Sequence, residues 1–144
     1  MHLVRHCLKN KGHAIWSIRP DALVYDALQL MADKDIGALL VIEEDNVVGI
    51  FSERDYARKV ILHGKSSKET LVREIMTSRV ISVNIDQSIE ECMAVMTEKR
   101  IRHLPVLEAG KLIGVISIGD VVKEIIAEQE FVIEQLGHYI SGER

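Results

Sequence analysis

Gly49-Ile50-Phe51-Ser52-Glu53-Arg54-Asp55 and Gly114-Val115-Ile116-Ser117-Ile118-Gly119-Asp120 decide the reading of this chain. Each carries an apolar run into Gly-x-x-Ser-x-x-Asp, and the second stands 65 residues after the first. The register extends outward without a gap. Asp21 aligns with Asp86, Met31 with Met96, Lys34 with Lys99, Ile36 with Ile101, Leu39 with Leu104, Val41 with Val106 and Glu43 with Glu108. A duplicated unit implies two similar folded halves related by a pseudo-twofold axis, expected at residues 1–65 and 66–144.

Within each copy the apolar pattern changes period in the same order. Val24, Ala27, Leu28 and Met31 share a helical face, with Asp21 expected to cap the helix start. Ala38–Ile42 and Val47–Phe51 read as two strands of a hairpin around Glu44-Asp45-Asn46, and a helix from Ser52 carries Tyr56, Val60 and Ile61. The second copy repeats this as a helix over 88–98, strands over 103–107 and 111–116, and a helix from Gly119. Short apolar stretches over 14–18 and 80–83 lead in as an extra strand, preceded by helical turns at Val4–Leu8 and Val72–Met76. The fold class is therefore α/β, in the α+β sense, with β-α-β-β-α used twice. Pro105 inside a strand pattern demands an edge position or a place where no N–H is needed.

Bulk composition narrows the function. With 144 residues, 47% hydrophobic and 28% charged, the chain can bury a core without disulfide or metal staples. A net charge of −4, with only Lys99, Arg100, Arg102 and His103 clustered, argues against nucleic acid as the partner. Charges interrupt every apolar run before spanning length, so no membrane segment or secretory leader is expected and the location reads as cytoplasmic. Cys92 lies on the apolar stripe of Ile89, Met93 and Met96 and reads as a small buried hydrophobe. His2 and His6 share a helical face but have no third ligand, a poor metal site. Val121, Val122, Ile125, Phe131, Val132, Leu136 and Tyr139 give the last helix more apolar surface than a small domain covers, which points to a homodimer.

The doubled motif admits two readings. Ser52-x-x-Asp55 and Ser117-x-x-Asp120 can be helix caps, serine and carboxylate together satisfying free N–H groups. They can also form a ligand site. A helix N-terminus favours an anion, and a carboxylate accepts two hydroxyl hydrogens from a vicinal diol. Phosphate plus diol describes a ribonucleotide.

These motifs, with Ile101-Arg102-His103-Leu104-Pro105-Val106 between helix and hairpin, resemble a tandem pair of cystathionine-β-synthase (CBS) domains of the small stand-alone bacterial type, from about Val4 to Ile126. The resemblance implies adenosyl ligands in clefts between the repeats: AMP first, with ADP, ATP, NAD(H) or S-adenosylmethionine as alternatives. It assigns ribose hydroxyls to Asp55 and Asp120, and ribose or phosphate to Ser52 and Ser117. Ile36, Gly37 and Ala38 would contact the base in one copy; Ile101, Arg102 and His103, with Leu104 and Pro105, would do so in the other. Ser17, Ile18, Ser82 and Val83 would complete the walls.

The copies differ in charge. Arg54 corresponds to Gly119, while Arg102 and His103 correspond to Gly37 and Ala38, so unequal affinities are expected. Arg54 and Arg102 are the candidate phosphate cations, a solvated first-turn residue being the lesser alternative for Arg54; His103 can equally be a satisfied, partly buried histidine. The chain has no Gly-x-Ser-x-Gly elbow, Walker loop or His-Glu-x-x-His, and no base stands beside either serine in sequence, so it reads as a non-enzyme. A regulatory sensor acting on an unidentified partner in trans is expected; a ligand-free assembly module is the alternative, and a nucleotide- or phosphosugar-acting enzyme a more distant one.

Overall fold

A computed structural model describes residues 2–141 of the chain. They divide into two compact units, one formed by Ile15–Ile81 and one by the segments up to Ala14 and from Ser82 onward. The first unit holds β1 (Ser17–Ile18), α2 (Val24–Lys34), β2 (Ala38–Glu43), β3 (Asn46–Ser52), α3 (Glu53–Asp55, continued by a π-helical turn Tyr56–Ile61) and α4 (Val72–Ile75). The second holds α1 (Val4–Lys11), β4 (Val83–Asn84), α5 (Ile89–Lys99), β5 (His103–Glu108), β6 (Lys111–Ser117) and α6 (Ile118–Ser141).

Each unit is built on a three-stranded sheet in which the hairpin strands pair antiparallel and the lead-in strand joins parallel. The duplication reaches the irregularities. A register shift falls between Val41 and Ile42 and again between Val106 and Leu107. The hairpin turns place Glu44 and Asp45, or Ala109 and Gly110, at positive φ, and this tight turn matches the right-handed strand twist. Asp35 and Arg100 close α2 and α5 in the left-handed conformation.

The boundary expected at residue 65 follows the order of the repeats, whereas the compact units exchange their leading helices. α1 precedes the first repeat in sequence but belongs with the second; α4 precedes the second but belongs with the first. Backbone hydrogen bonds give the reason, because the first N–H groups of a helix have no partner inside it. Val4 and Arg5 donate to the carbonyls of Gln87 and Ile85 at the start of α5, and Ile89 donates back to His2. In the other unit Val24 and Tyr25 donate to Thr70 and Ser67, while Val72 and Arg73 donate to Ala22 and Pro20. The helix starts thus satisfy one another in pairs. Asp21 is consequently not the cap of α2: Leu23 holds that position, and the Asp21 carboxylate accepts from Arg19 Nε at 3.1 Å.

Core packing follows the same division. Val24, Ala27 and Met31 of α2 bury against Leu39, Val41 and Phe51 of the sheet, with Val60, Val72 and Ile75 closing the cluster. In the second unit Val4, Cys7 and Leu8 of α1 are buried, as are Ile89, Cys92, Met96, Leu104, Val106, Ile116 and Val121. Burial drives the Cys7 thiol up to about 12, helped by the negative charge of Asp120 and Glu124. The Cys92 thiol reaches about 11 by burial and the nearby Glu91 and Glu90.

Pro105 lies in the central strand, not at an edge. Its first-repeat counterpart, Leu40, donates its N–H to Trp16 O at 3.4 Å. Proline has no such donor. Accordingly β4 starts at Val83, one residue later than Ser17 starts β1, and pairs only with Val106 and Leu107.

Candidate functional site

Both motifs fold locally for the same reason. The last strand residue is a serine in extended conformation, and its side-chain oxygen accepts from the N–H of the aspartate three residues on, at 3.2 Å in each copy. The carboxylate in turn accepts from the serine N–H, at 3.0 Å for Asp55 and 2.8 Å for Asp120. This reciprocal cap turns the chain sharply from β3 into α3 and from β6 into α6. Both sequence readings of the motif therefore start from a real cap.

The second oxygen of each carboxylate separates the copies. Asp55 Oδ1 accepts from Thr77 Oγ1 at 3.2 Å and pairs with Lys59 Nζ at 3.1 Å, while Oδ2 also takes the Ser52 hydroxyl at 3.1 Å. Its side chain is only 10% exposed and its oxygens are engaged. Asp120 pairs with Lys11 Nζ at 2.6 Å, but that contact and the Ser117 N–H both fall on Oδ2. Oδ1 accepts no hydrogen bond from the described residues, and the side chain is 19% exposed. Burial works to raise the Asp120 pKa; the Lys11 ammonium and the Ser117 amide and hydroxyl outweigh it and hold the carboxyl below its ordinary 3.8. The second copy thus presents an ionised carboxylate with one acceptor oxygen to spare.

Strand register gathers other expected residues around each cap. Ala38 pairs with Ser52, and Glu53 N donates to Gly37 O at 3.1 Å, so the turn after α2 meets the start of α3. Ile36 turns inward and packs on the core cluster, as does Ile18, whereas Ser17 is exposed beside Leu40. In the second unit His103 pairs with Ser117, and Ile118 N donates to Arg102 O at 2.8 Å. Ile101 is half-buried; Leu104, Pro105 and Val83 are buried; Ser82 is exposed. Arg102 projects exposed and makes no ion pair with the described residues, while Arg54 and His103 are both half-buried and engaged.

The motif glycines serve packing. A Cβ at Gly114 would lie 2.8 Å from Leu8 Cδ2 of α1, and one at Gly49 would lie 2.7 Å from Met76 Sδ and 3.0 Å from the Thr77 carbonyl. Each glycine makes room for the exchanged helix segment. Sequence reasoning missed the cations Lys11 and Lys59 and the hydroxyl of Thr77. Lys59 stands one helical turn after Asp55, a legible signal; Lys11 and Thr77 arrive only through the helix exchange.

The CBS domain family matches residues 13–62 and 72–127, each span ending just after one motif. The chain belongs to the CBS domain family. It is 39% identical over 145 residues to the mitochondrial CBS domain-containing protein CBSX3 of Arabidopsis thaliana, covering 94% of this chain and 70% of that protein. A solved CBS-domain protein of Burkholderia ambifaria, ascribed to signal transduction, is 56% identical and superposes with a TM-score of 0.85 over 88% of this chain and 96% of its own. A CBS domain pair solved in complex with 5′-methylthioadenosine and S-adenosyl-L-methionine shares the fold, with a TM-score of 0.77 at 20% identity over 89% of this chain and 98% of its own. The expectation of a tandem CBS pair is met in family and fold, and the relatives named here are CBS-domain and signal-transduction proteins. Among the described residues no helix is long and apolar enough to cross a membrane.

Proposed function

We propose that this CBS pair is a regulatory sensor of an adenosyl ligand, AMP before ADP, ATP or NAD(H), and that it acts on a partner protein as a homodimer. One observation carries the reading: Asp120 is ionised by its neighbours yet keeps Oδ1 uncommitted. Such an oxygen accepts ribose hydroxyls. Arg102, exposed beside the same cap and without an ion pair among the described residues, supplies the phosphate cation, and the turn Ile101-Arg102-His103 supplies backbone groups for the base. The adenosyl compounds held by a protein of the same fold support the ligand class. In the first copy Ser17, Gly37, Ala38 and Ser52 offer the same backbone frame, but Asp55 must surrender Thr77 or Lys59 to bind a diol. The Asp120 copy is therefore the tighter of the two. Occupancy shifts the population of the form that the partner recognises. The carboxylate that takes the Ser52 hydroxyl, Asp55 Oδ2 at 3.1 Å, is itself tied into the helix cap by the Ser52 N–H, and the reading is binding without turnover.

Titration calorimetry with AMP, ADP, ATP and NADH tests this. Asp120→Ala removes charge-assisted bonds worth roughly 1.5–3 kcal/mol, which weakens binding about ten- to hundredfold; Asp55→Ala has the smaller effect. If both variants bind like the wild type, the ribose assignment is wrong. If the wild type binds none of the four, the sensor reading fails and the assembly module takes its place.

A further inference from the structure

Asp55 can take a diol only by giving up a bond, yet the same end of its sheet carries a group that the second copy lacks. Trp16, the sole tryptophan, is 40% exposed. It stands one residue before β1, and its carbonyl accepts from the Leu40 N–H at 3.4 Å. β1 runs parallel to β2 with Ser17 opposite Leu40, which sets Trp16 at the end of the sheet where Ala38 pairs with Ser52. Lys34, the last residue of α2, reaches over the indole, its Nζ 4.3 Å from the ring centroid. It is exposed and makes no ion pair with the described residues. In the second copy the corresponding positions are Ile81 and Lys99, so the aromatic half of the pair has no counterpart there.

Resting on the adenosyl-ligand reading, we propose that the first copy holds its ligand by the base: Trp16 stacks the adenine ring, Lys34 answers the phosphate, and Asp55 keeps its bonds to Thr77 and Lys59. An indole offers a large apolar face, and leaving so much of it in water favours whatever ring covers it. Stacking takes no account of the sugar, because every base has a π-face. The ammonium is drawn to the negative face of the indole, and its long, exposed stem can carry it from there to an anion. A planar ring bearing an anionic group therefore meets both halves of the pair.

The two copies thereby read different parts of one ligand class. The second grips the ribose diol through the spare oxygen of Asp120, whereas the first grips base and anion and tolerates the loss of the diol. Trp16 is the specificity-determining residue of the first copy.

AMP and its 2′,3′-dideoxy analogue separate the copies on the full chain, because the analogue offers Asp120 no hydroxyl. With a single tryptophan, indole emission reports on the first copy. Both compounds are expected to quench it at similar concentrations. By calorimetry with the analogue, Trp16→Leu should weaken binding about ten- to hundredfold and Trp16→Phe should recover most of the loss. Lys34→Met should weaken it about three- to tenfold, an effect that shrinks at high salt. Trp16 and Lys34 are exposed, so the fold of the unit stands, which circular dichroism verifies. If AMP binds with the expected dependence on Asp120 while the analogue leaves the emission unchanged, or if Trp16→Leu takes up the analogue like the wild type, the base-stacking proposal is refuted and the ribose reading survives. If the analogue quenches but Asp120→Ala binds AMP like the wild type, the ribose reading falls and base stacking stands. If AMP neither quenches nor releases heat, both fail.

Discussion

If the motif glycine exists to seat the exchanged helix, Gly114→Ala must act through Leu8. The added Cβ lies 2.8 Å from Leu8 Cδ2 and 3.2 Å from Cδ1, and Leu8 is fully buried, with nowhere to swing. Overpacking of this kind costs about 1–3 kcal/mol. Leu8→Ala alone empties the slot and costs about 2–5 kcal/mol. In the double variant the new methyl occupies part of the hole that Leu8 vacates. The two losses therefore should not add; a favourable coupling of about 1–2 kcal/mol is expected, within the usual range for residues in contact. Urea denaturation of the wild type, both single variants and the double variant measures it, with a loss of about 1 kcal/mol also visible as roughly 2–4 °C in Tm for a domain of this size. Losses that add to within about 0.5 kcal/mol would show that Leu8 and Gly114 do not touch. The glycine would then have to be explained by the ligand, and the helix exchange would lose its packing argument.

Three further outcomes follow from named contacts. Because the folded Asp120 pKa lies below 3.8, its contribution to stability is complete above that pH and is lost as the pH falls through the folded value. Lys11→Met removes the main cause, so its stability deficit should be plain at neutral pH and close below about pH 4; a deficit that persists in acid would contradict the pairing. With their pKa near 12 and 11, Cys7 and Cys92 should resist a thiol reagent at about pH 8 until urea unfolds the chain, and rapid labelling of the native protein would contradict their burial. Ser88 caps α5 by accepting from Glu91 N at 3.1 Å, so Ser88→Ala should cost about 0.5–2 kcal/mol by thermal denaturation, with no change in ligand affinity.

Much of the fold was legible because its signals are local. The hairpins came out to within a residue or two, since Ala38–Glu43 and Asn46–Ser52 are continuous apolar runs around a short polar turn. The exposed length of α6 was readable from apolar residues continuing past Asp120. Asp21 misled: a carboxylate before a helix suggests a cap, but carbonyls from the 67–70 segment had already taken the N–H groups it would serve. The candidate site divides the same way. Ser52, Asp55, Ser117 and Asp120 stand out by repetition, yet nothing in the repeat says that Asp55 is saturated while Asp120 is not. That difference comes from Thr77, Lys59 and Lys11.

By itself the sequence determined two copies of one αβ unit, the order of their elements, their family and the polar residues at each strand end, because periodicity and repetition are written in neighbouring residues. Only the tertiary structure decided which helix each copy holds, why the motif glycine is small, where a strand can do without the Pro105 N–H and which carboxylate keeps an oxygen uncommitted among the described residues. Those depend on backbone donors and charges far apart in the chain, as Lys11 is from Asp120, and no local pattern records which of them meet.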